Sequence, residues 1–263
     1  MKPGMKENAL TIKILGSGTC VPSLKRCSCS VFVQINGAKL LFDAGPGVMI
    51  RLLETGASIF DISHIFLSHF HPDHCADLVP FLFATKYPDA SKRKKTLRVI
   101  AGSGFKSFYR HLQRAYGDWM EPAPGFMEII EMDNQRLDSL KFDEFTLESA
   151  PVNHREESVA FKISHGSGKS MVYSGDTDIS HNLVQLSKNA DILICESALP
   201  DGCKVQGHLT PSLAGEMAAR AGVKMLVLTH LYPECDRVDI KKECQTTWDG
   251  PILIAKDFME LAL

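Results

Sequence analysis

Ser68-His69-Phe70-His71-Pro72-Asp73-His74 follows the apolar run Ile62 to Leu67, and the rest of the chain is read outward from it. An Ile/Phe/Leu run bounded by Asp61 and a Pro-Asp pair predicts a buried strand, so three histidines and an aspartate fall where that strand ends. Loops at strand ends are where sites are built. His69 and His71, at i and i+2, point to one side of extended backbone and can offer imidazole nitrogens to a single ion. Asp73 and His74 then turn toward a second point. The competing reading is a solvated polar loop, which gains no packing from such clustering.

The 263 residues suffice for one large domain or two small ones, and nothing in the composition demands two, so a single domain over residues 1–263 is expected. A hydrophobic fraction of 44% and a charged fraction of 23% are ordinary for a globular protein, and a net charge of -2 excludes any global pull toward nucleic acid. A polyanion would have to be gripped locally. The eight cysteines include no Cys-x-x-Cys, and Met1 to Asn8 is polar, without the apolar core of a signal peptide; a reducing cytoplasm is the expected home. Cys27-x-Cys29 lacks a second pair at zinc-finger spacing. No apolar run approaches the roughly eighteen residues of a membrane span, so no membrane partner is expected.

Along the chain, Leu10 to Leu15 predicts a strand, and Gly16-Ser17-Gly18-Thr19 a tight turn. That turn lacks the lysine of a nucleotide loop, so its glycines are read as room for close backbone approach. Ser30 to Ile35, Asn36-Gly37 and Lys39 to Phe42 predict a hairpin with a type I′ turn. Asp43 then reads as the N-cap of a helix over Val48 to Thr55, as a partner that orients a histidine, or as both. A helix from Ala76 to Tyr87 places the histidine cluster at a helix N-terminus, and Ser91-Lys92-Arg93-Lys94-Lys95 is the one basic run. Leu97 to Ala101 predicts a strand and Phe105 to Tyr116 a helix. The irregular stretch Trp119 to Phe126 either packs on the core or walls a pocket. Further strands are expected over Glu128 to Met132, Phe145 to Ala150, Val159 to Ile163, Met171 to Ser174, Ile192 to Cys195, Lys224 to Leu228 and Ile252 to Ala255. Helices are expected over Leu183 to Lys188 and from Thr210-Pro211 to Arg220, stopped by Gly222. Each half thus carries strands followed by helix-strand units, an α/β pattern that predicts a duplicated αββα sandwich.

His69, His71, Asp73, His74, His154, Asp176 and His230 all fall at ends of apolar runs. In this order they resemble the motifs of the metallo-β-lactamase superfamily over nearly the whole chain. The resemblance implies a four-layer αββα sandwich and two divalent metal ions: His69, His71 and His154 on one, Asp73, His74 and His230 on the other, and Asp176 between them. Asp43 would orient a ligand histidine. Five histidines and two aspartates suit zinc, while manganese or iron also accept such a mixed set. A glutamate at position 71 would have pointed to the diiron oxidoreductase branch. Paired ions of this kind supply a hydroxide that attacks a phosphoryl or carbonyl centre, with Asp73 orienting the water or taking its proton.

Gly207-His208-Leu209-Thr210 resembles the motif of the ribonuclease Z branch whose histidine is the proposed acid, and Cys195-Glu196-Ser197 resembles the glutamate motif that steadies it. Leu209 stands where that branch more often has serine. The tRNA-cutting members usually carry a Gly/Pro-rich arm between their third and fourth motifs, but His154 and Asp176 are only 22 positions apart here. Lys92 to Lys95 is the sole obvious substitute for that grip. The expectation is therefore a dinuclear phosphodiesterase acting on small phosphodiesters or short RNA, with Asp73, His208 and Glu196 as its catalytic residues. The alternatives are a tRNA 3′-end endonuclease gripping through the basic run or a homodimer partner, a lactonase or thioesterase with no use for Glu196 and His208, and a metal-stabilised binding protein. A homodimer is implied by the resemblance alone.

Overall fold

The computed structural model describes residues 10–89 and 92–263. Strands β1 (Thr11–Gly16), β2 (Ser30–Ile35), β3 (Ala38–Phe42), β4 (His64–Leu67), β5 (Leu97–Gly102) and β6 (Met127–Met132) build one sheet. The second holds β7 (Asp138–Lys141), β8 (Thr146–Pro151), β9 (Val159–Ser164), β10 (Ser170–Tyr173), β11 (Ile192–Glu196), β12 (Leu226–Thr229) and β13 (Ile252–Ile254). β14 (Glu260–Ala262) crosses back to pair antiparallel with the edge strand β1, which gives two seven-stranded sheets among the described residues. The predicted hairpin forms: Asn36 and Gly37 take φ of 47° and 81°, the positive pair that a type I′ turn requires.

Alternation along the strands sorts the apolar side chains into three layers of core. In β2, Val31, Val33 and Ile35 face the opposite sheet while Phe32 faces the helices; in β4, Phe66 faces the sheet while Ile65 and Leu67 face the helices. Phe42 stacks on Phe66 at 4.5 Å in the layer between the sheets, and Phe161 of β9 meets them from the other side. Helices α1 (Val48–Glu54), α2 (Pro72–Cys75), α3 (Leu78–Lys86) and α4 (Phe105–Tyr116) follow strands of the first sheet, and residues of α1, α3 and α4 close its outer core. α5 (His181–Leu186), α6 (Pro211–Ala221) and α7 (Ile240–Cys244) cover the second. This is the expected four-layer αββα sandwich.

Several local expectations change. The helix expected over Ala76 to Tyr87 runs from Leu78 to Lys86 as α3, and a separate, unexpected turn of helix, α2, precedes it, with Pro80 in the first turn of α3, where its missing N–H costs no helical bond. Asp43 does not cap α1: Gly47 holds that position with φ 90°, and the carboxylate receiving an amide of the first turn, Met49 N–H at 3.1 Å, is that of Asp77. The basic run also changes character. Arg93 is buried, its guanidinium donating to the carbonyls of Ile62 (2.9 Å) and Ile59 (2.6 Å). Ser91 lies outside the described residues; Lys92 to Lys95 lead into the start of β5, which pairs in parallel with β4, so they lie at the sheet end opposite Ser68–His74. Trp119 packs against Phe83 of α3 and Tyr87 just beyond it, and together with Tyr116 and Met120 it walls an apolar pocket on α3 that none of the histidines lines. Strands β7 and β14 and helix α7 were not expected; all three are short and carry little apolar periodicity.

Candidate metal centre

His69 and His71 leave the C-terminal end of β4, Asp73 and His74 sit in α2, and His154 follows β8. Asp176 follows β10, Glu196 ends β11, His230 follows β12, and His208 lies in the loop before α6. β10, β11 and β12 are parallel to one another, and β8 runs with β10 because β9 is antiparallel to both. One rim of the second sheet therefore collects the exits of four strands, opposite the exit of β4.

Two groups of donors meet there. His69, His71, His154 and Asp176 offer atoms that all lie within 4.8 Å of one another, and so do Asp73, His74 and His230. Asp176 divides its carboxylate between them: Oδ2 lies 3.7 Å from His69 Nε2 and 3.9 Å from His154 Nε2, while Oδ1 lies 3.3 Å from His74 Nε2 and 3.4 Å from His230 Nε2. Asp73 Oδ2 stands 3.6 Å from His230 Nε2 and 3.7 Å from His74 Nε2. A third grouping, Asp176, His208 and His230, also falls within 4.8 Å.

His69 Nε2 and Asp176 Oδ1 are buried and have no hydrogen-bond partner. Buried polar atoms are otherwise nearly always satisfied, so two orphans aimed into a ring of imidazoles and carboxylates fit ligands of a cation. The electrostatics agree. Burial and the neighbouring His74 hold His69 well below the ordinary histidine value, and burial likewise lowers His154; both are neutral imidazoles, the ligating form. At His74 burial pulls the same way, but the carboxylates of Asp176 and Asp43 outweigh it and raise the ring well above its usual value. Asp176 resists the upward pull of burial and is held well below the carboxylate range by His230 and His74. The centre thus attracts positive charge and keeps its carboxylates ionised.

A surrounding layer fixes these donor side chains. Asp43 Oδ2 accepts from His74 Nδ1 at 2.7 Å, from Ser68 Oγ at 2.8 Å and from the buried Tyr173 hydroxyl at 2.7 Å, while its Oδ1 accepts from Ser68 N–H at 2.7 Å. His154 Nδ1 donates to Gly207 O at 2.9 Å. Glu196, buried at the end of β11, accepts from the amides of Thr177, Ala198 and Leu209 and sits 3.0 Å from His208 Nδ1. Burial raises the Glu196 carboxyl, and although burial depresses His208, its bond to Glu196 leaves the imidazole above its ordinary value. The backbone is adapted too. Asp43 and His230 hold φ of 56° and 55°, unusual for residues with a Cβ, and a Cβ on Gly175 would come 2.4 Å from Ser68 Cβ.

Tyr173, which locks Asp43 together with Ser68, was not singled out by the sequence, which assigned Ser68 no role; nor was Tyr232, whose ring meets that of His230 edge to face and whose hydroxyl lies 3.4 Å from Cys20 Sγ. Tyr173 and Tyr232 are ordinary aromatics beside strand ends, and only the fold brings them in. The Cys27-x-Cys29 pair divides, Cys29 into the inter-sheet core and Cys27 toward Pro46 O, and all eight cysteines are free thiols.

The Beta-lactamase superfamily domain model matches residues 38–231. The chain is 31% identical over 215 residues to an uncharacterized protein of Mycobacterium tuberculosis, Rv1339, covering 81% of this chain and 77% of that one. It is 25% identical to ribonuclease Z of Archaeoglobus fulgidus over 95% of this chain and 96% of that protein. Its fold superposes on the metallo-beta-lactamase fold protein YhfI from Bacillus subtilis with a TM-score of 0.82 and 24% identity, covering 97% of this chain and all of that one. No helix among the described residues is long and apolar enough to cross a membrane.

Proposed function

Since the chain belongs to the metallo-β-lactamase superfamily and is a ribonuclease Z-like, metal-dependent hydrolase, we propose that it is a dinuclear phosphodiesterase acting on small phosphodiesters or short RNA. The observation that carries this reading is Asp176, whose two oxygens face two separate donor groups. His69, His71 and His154 would hold one divalent ion and Asp73, His74 and His230 the other, with zinc favoured by the histidine-rich set. Such a pair, when bound, lowers the pKa of water toward neutrality and offsets charge on a phosphoryl oxygen.

The chain's own residues supply the proton transfers. Asp73, whose Oδ2 faces His74 and His230, orients the attacking water and takes its proton. As the new P–O bond forms, the bond to the leaving oxygen breaks, and that oxygen takes a proton from His208 Nε2. The other ring nitrogen is committed to Glu196, which three backbone amides hold in place, so the imidazole stays oriented and protonated.

Ribonuclease Z activity is the second reading, supported by the Archaeoglobus relative. Against it, the interval from His154 to Asp176 is filled by β9, a turn and β10, leaving no room for an arm, and the basic run lies at the far end of the sheet with Arg93 buried. The test is elemental analysis of the purified protein together with hydrolysis of a phosphodiester, a phosphomonoester, a lactone and a precursor tRNA. Two ions per chain with phosphodiester cleavage is the expected result; one ion per chain, or lactone turnover alone, overturns it.

A further inference from the structure

Beside His154, on the flank of the centre nearest His208, a cavity of about 400 Å³ is lined by Asn153, His154, Arg155, Asp178, Gln206 and Gly207. Its lining carries one charge of each sign, and the negative one is already engaged. Asp178 is spent on Lys204 Nζ at 2.8 Å and on Gly207 N–H at 2.9 Å, a pair that is neutral overall. Arg155 is exposed, and among the described residues its guanidinium makes no ion pair or hydrogen bond, although Glu156 and Glu157 are its chain neighbours. A free, planar five-donor group on the wall of a polar cavity is built to take an anion with fork geometry, and phosphate is the anion it fits best.

The cavity's position assigns its place in the reaction. His208 follows Gly207 directly, and its ring lies 4.9 Å from that of His154, so a leaving oxygen protonated by His208 departs toward this side. The approach is close by construction: Gly207 has φ 88°, and a Cβ there would stand 3.1 Å from His154 Nδ1. We infer that this cavity is the subsite for the leaving half of the substrate and that Arg155 selects leaving groups carrying a second phosphate. This rests on the phosphodiesterase reading and narrows its substrate to a molecule with two phosphates, either a short oligonucleotide or a small terminally phosphorylated diester.

The metal-loaded protein is tested on four substrates: the dinucleotide ApA, ApA with a phosphate at one end, ApA with a phosphate at the other, and the trinucleotide ApApA. Wild type is expected to favour one phosphate-bearing dinucleotide over ApA by about 10- to 100-fold in kcat/KM, mostly through KM. In Arg155→Ala that ratio falls to near one, and Arg155→Lys keeps part of it, with thermal unfolding unchanged in both. If ApApA shares the preference, the second phosphate comes from an internal linkage; if not, from a terminus. A wild type without preference, or a preference that survives in Arg155→Ala, overturns the inference. Should no dinucleotide be cleaved, the short-RNA half of the phosphodiesterase reading falls, and calorimetric binding of an adenosine bisphosphate against adenosine monophosphate, in wild type and Arg155→Ala, decides for the subsite alone.

Discussion

His208 is where the chemistry of one side chain separates from the integrity of the site. Its Nδ1 bonds Glu196 at 3.0 Å and stands farther, 4.0 Å, from Asp176 Oδ2, so His208→Ala is expected to keep full metal content while kcat falls about 10²- to 10⁴-fold. Glu196→Gln should lower kcat less, because the amide still holds the ring in place. Unchanged turnover in His208→Ala would remove it as the acid. Far from the centre, His64 offers a test of burial. It is 1% exposed between Phe142 and Phe145, with Arg98 nearby, and burial first, then Arg98, lower its pKa from 6.5 to about 4. A depressed folded-state value means the unfolded chain binds the proton more readily between those limits. Its contribution is therefore complete above pH 6.5 and is lost as pH falls toward 4, at most about 3 kcal/mol. Urea midpoints measured over that window should drop more steeply in wild type than in His64→Gln; equal slopes would refute the assignment.

At the scale of elements, strand exits set the geometry of the donor side chains, and Gly175 between β10 and Asp176 is the tightest of them. Its φ of 56° and the 2.4 Å approach of a Cβ to Ser68 leave no room for a side chain. Gly175→Ala is expected to displace Asp176 from both donor groups, lowering bound metal to one ion per chain or fewer and destabilising the fold by roughly 1–3 kcal/mol. Retention of two ions, with a Tm like that of wild type, would show that the turn can yield. The Asn36-Gly37 hairpin and the Pro211 to Gly222 helix were legible because each is closed by bonds within a few residues, and the structure keeps both, with Gly222 at φ 64°. The cap of α1 was not legible. Asp43 lies closer in sequence, but the chain turns it toward Ser68 and His74, and Asp77, 28 residues from Met49, reaches that helix instead.

For the molecule as a whole, candidate donors drawn from both sheets mean that any ion bound there cross-links the two halves of the sandwich. Chelation is accordingly expected to lower the Tm by about 5–15 °C, the shift for a ligand held at 100 to 1000 times its Kd, and re-addition of zinc to restore it. A Tm indifferent to chelator, in a preparation with metal confirmed absent, would contradict the shared centre. Periodicity, strand-end histidines and turn residues were enough to specify two sets of α/β elements and to single out the side chains that the fold gathers, because strand ends of parallel units share one rim whatever the packing details. Burial and partnership were not decided that way. Arg93 reads as the middle of a solvated basic run yet donates into the core, Tyr173 reads as strand filler yet binds Asp43 from 130 residues away, and β14 closes the sheet at β1 from the far end of the chain. Those outcomes depend on which polar groups lose water together, and only the folded chain brings such distant groups into one dry volume.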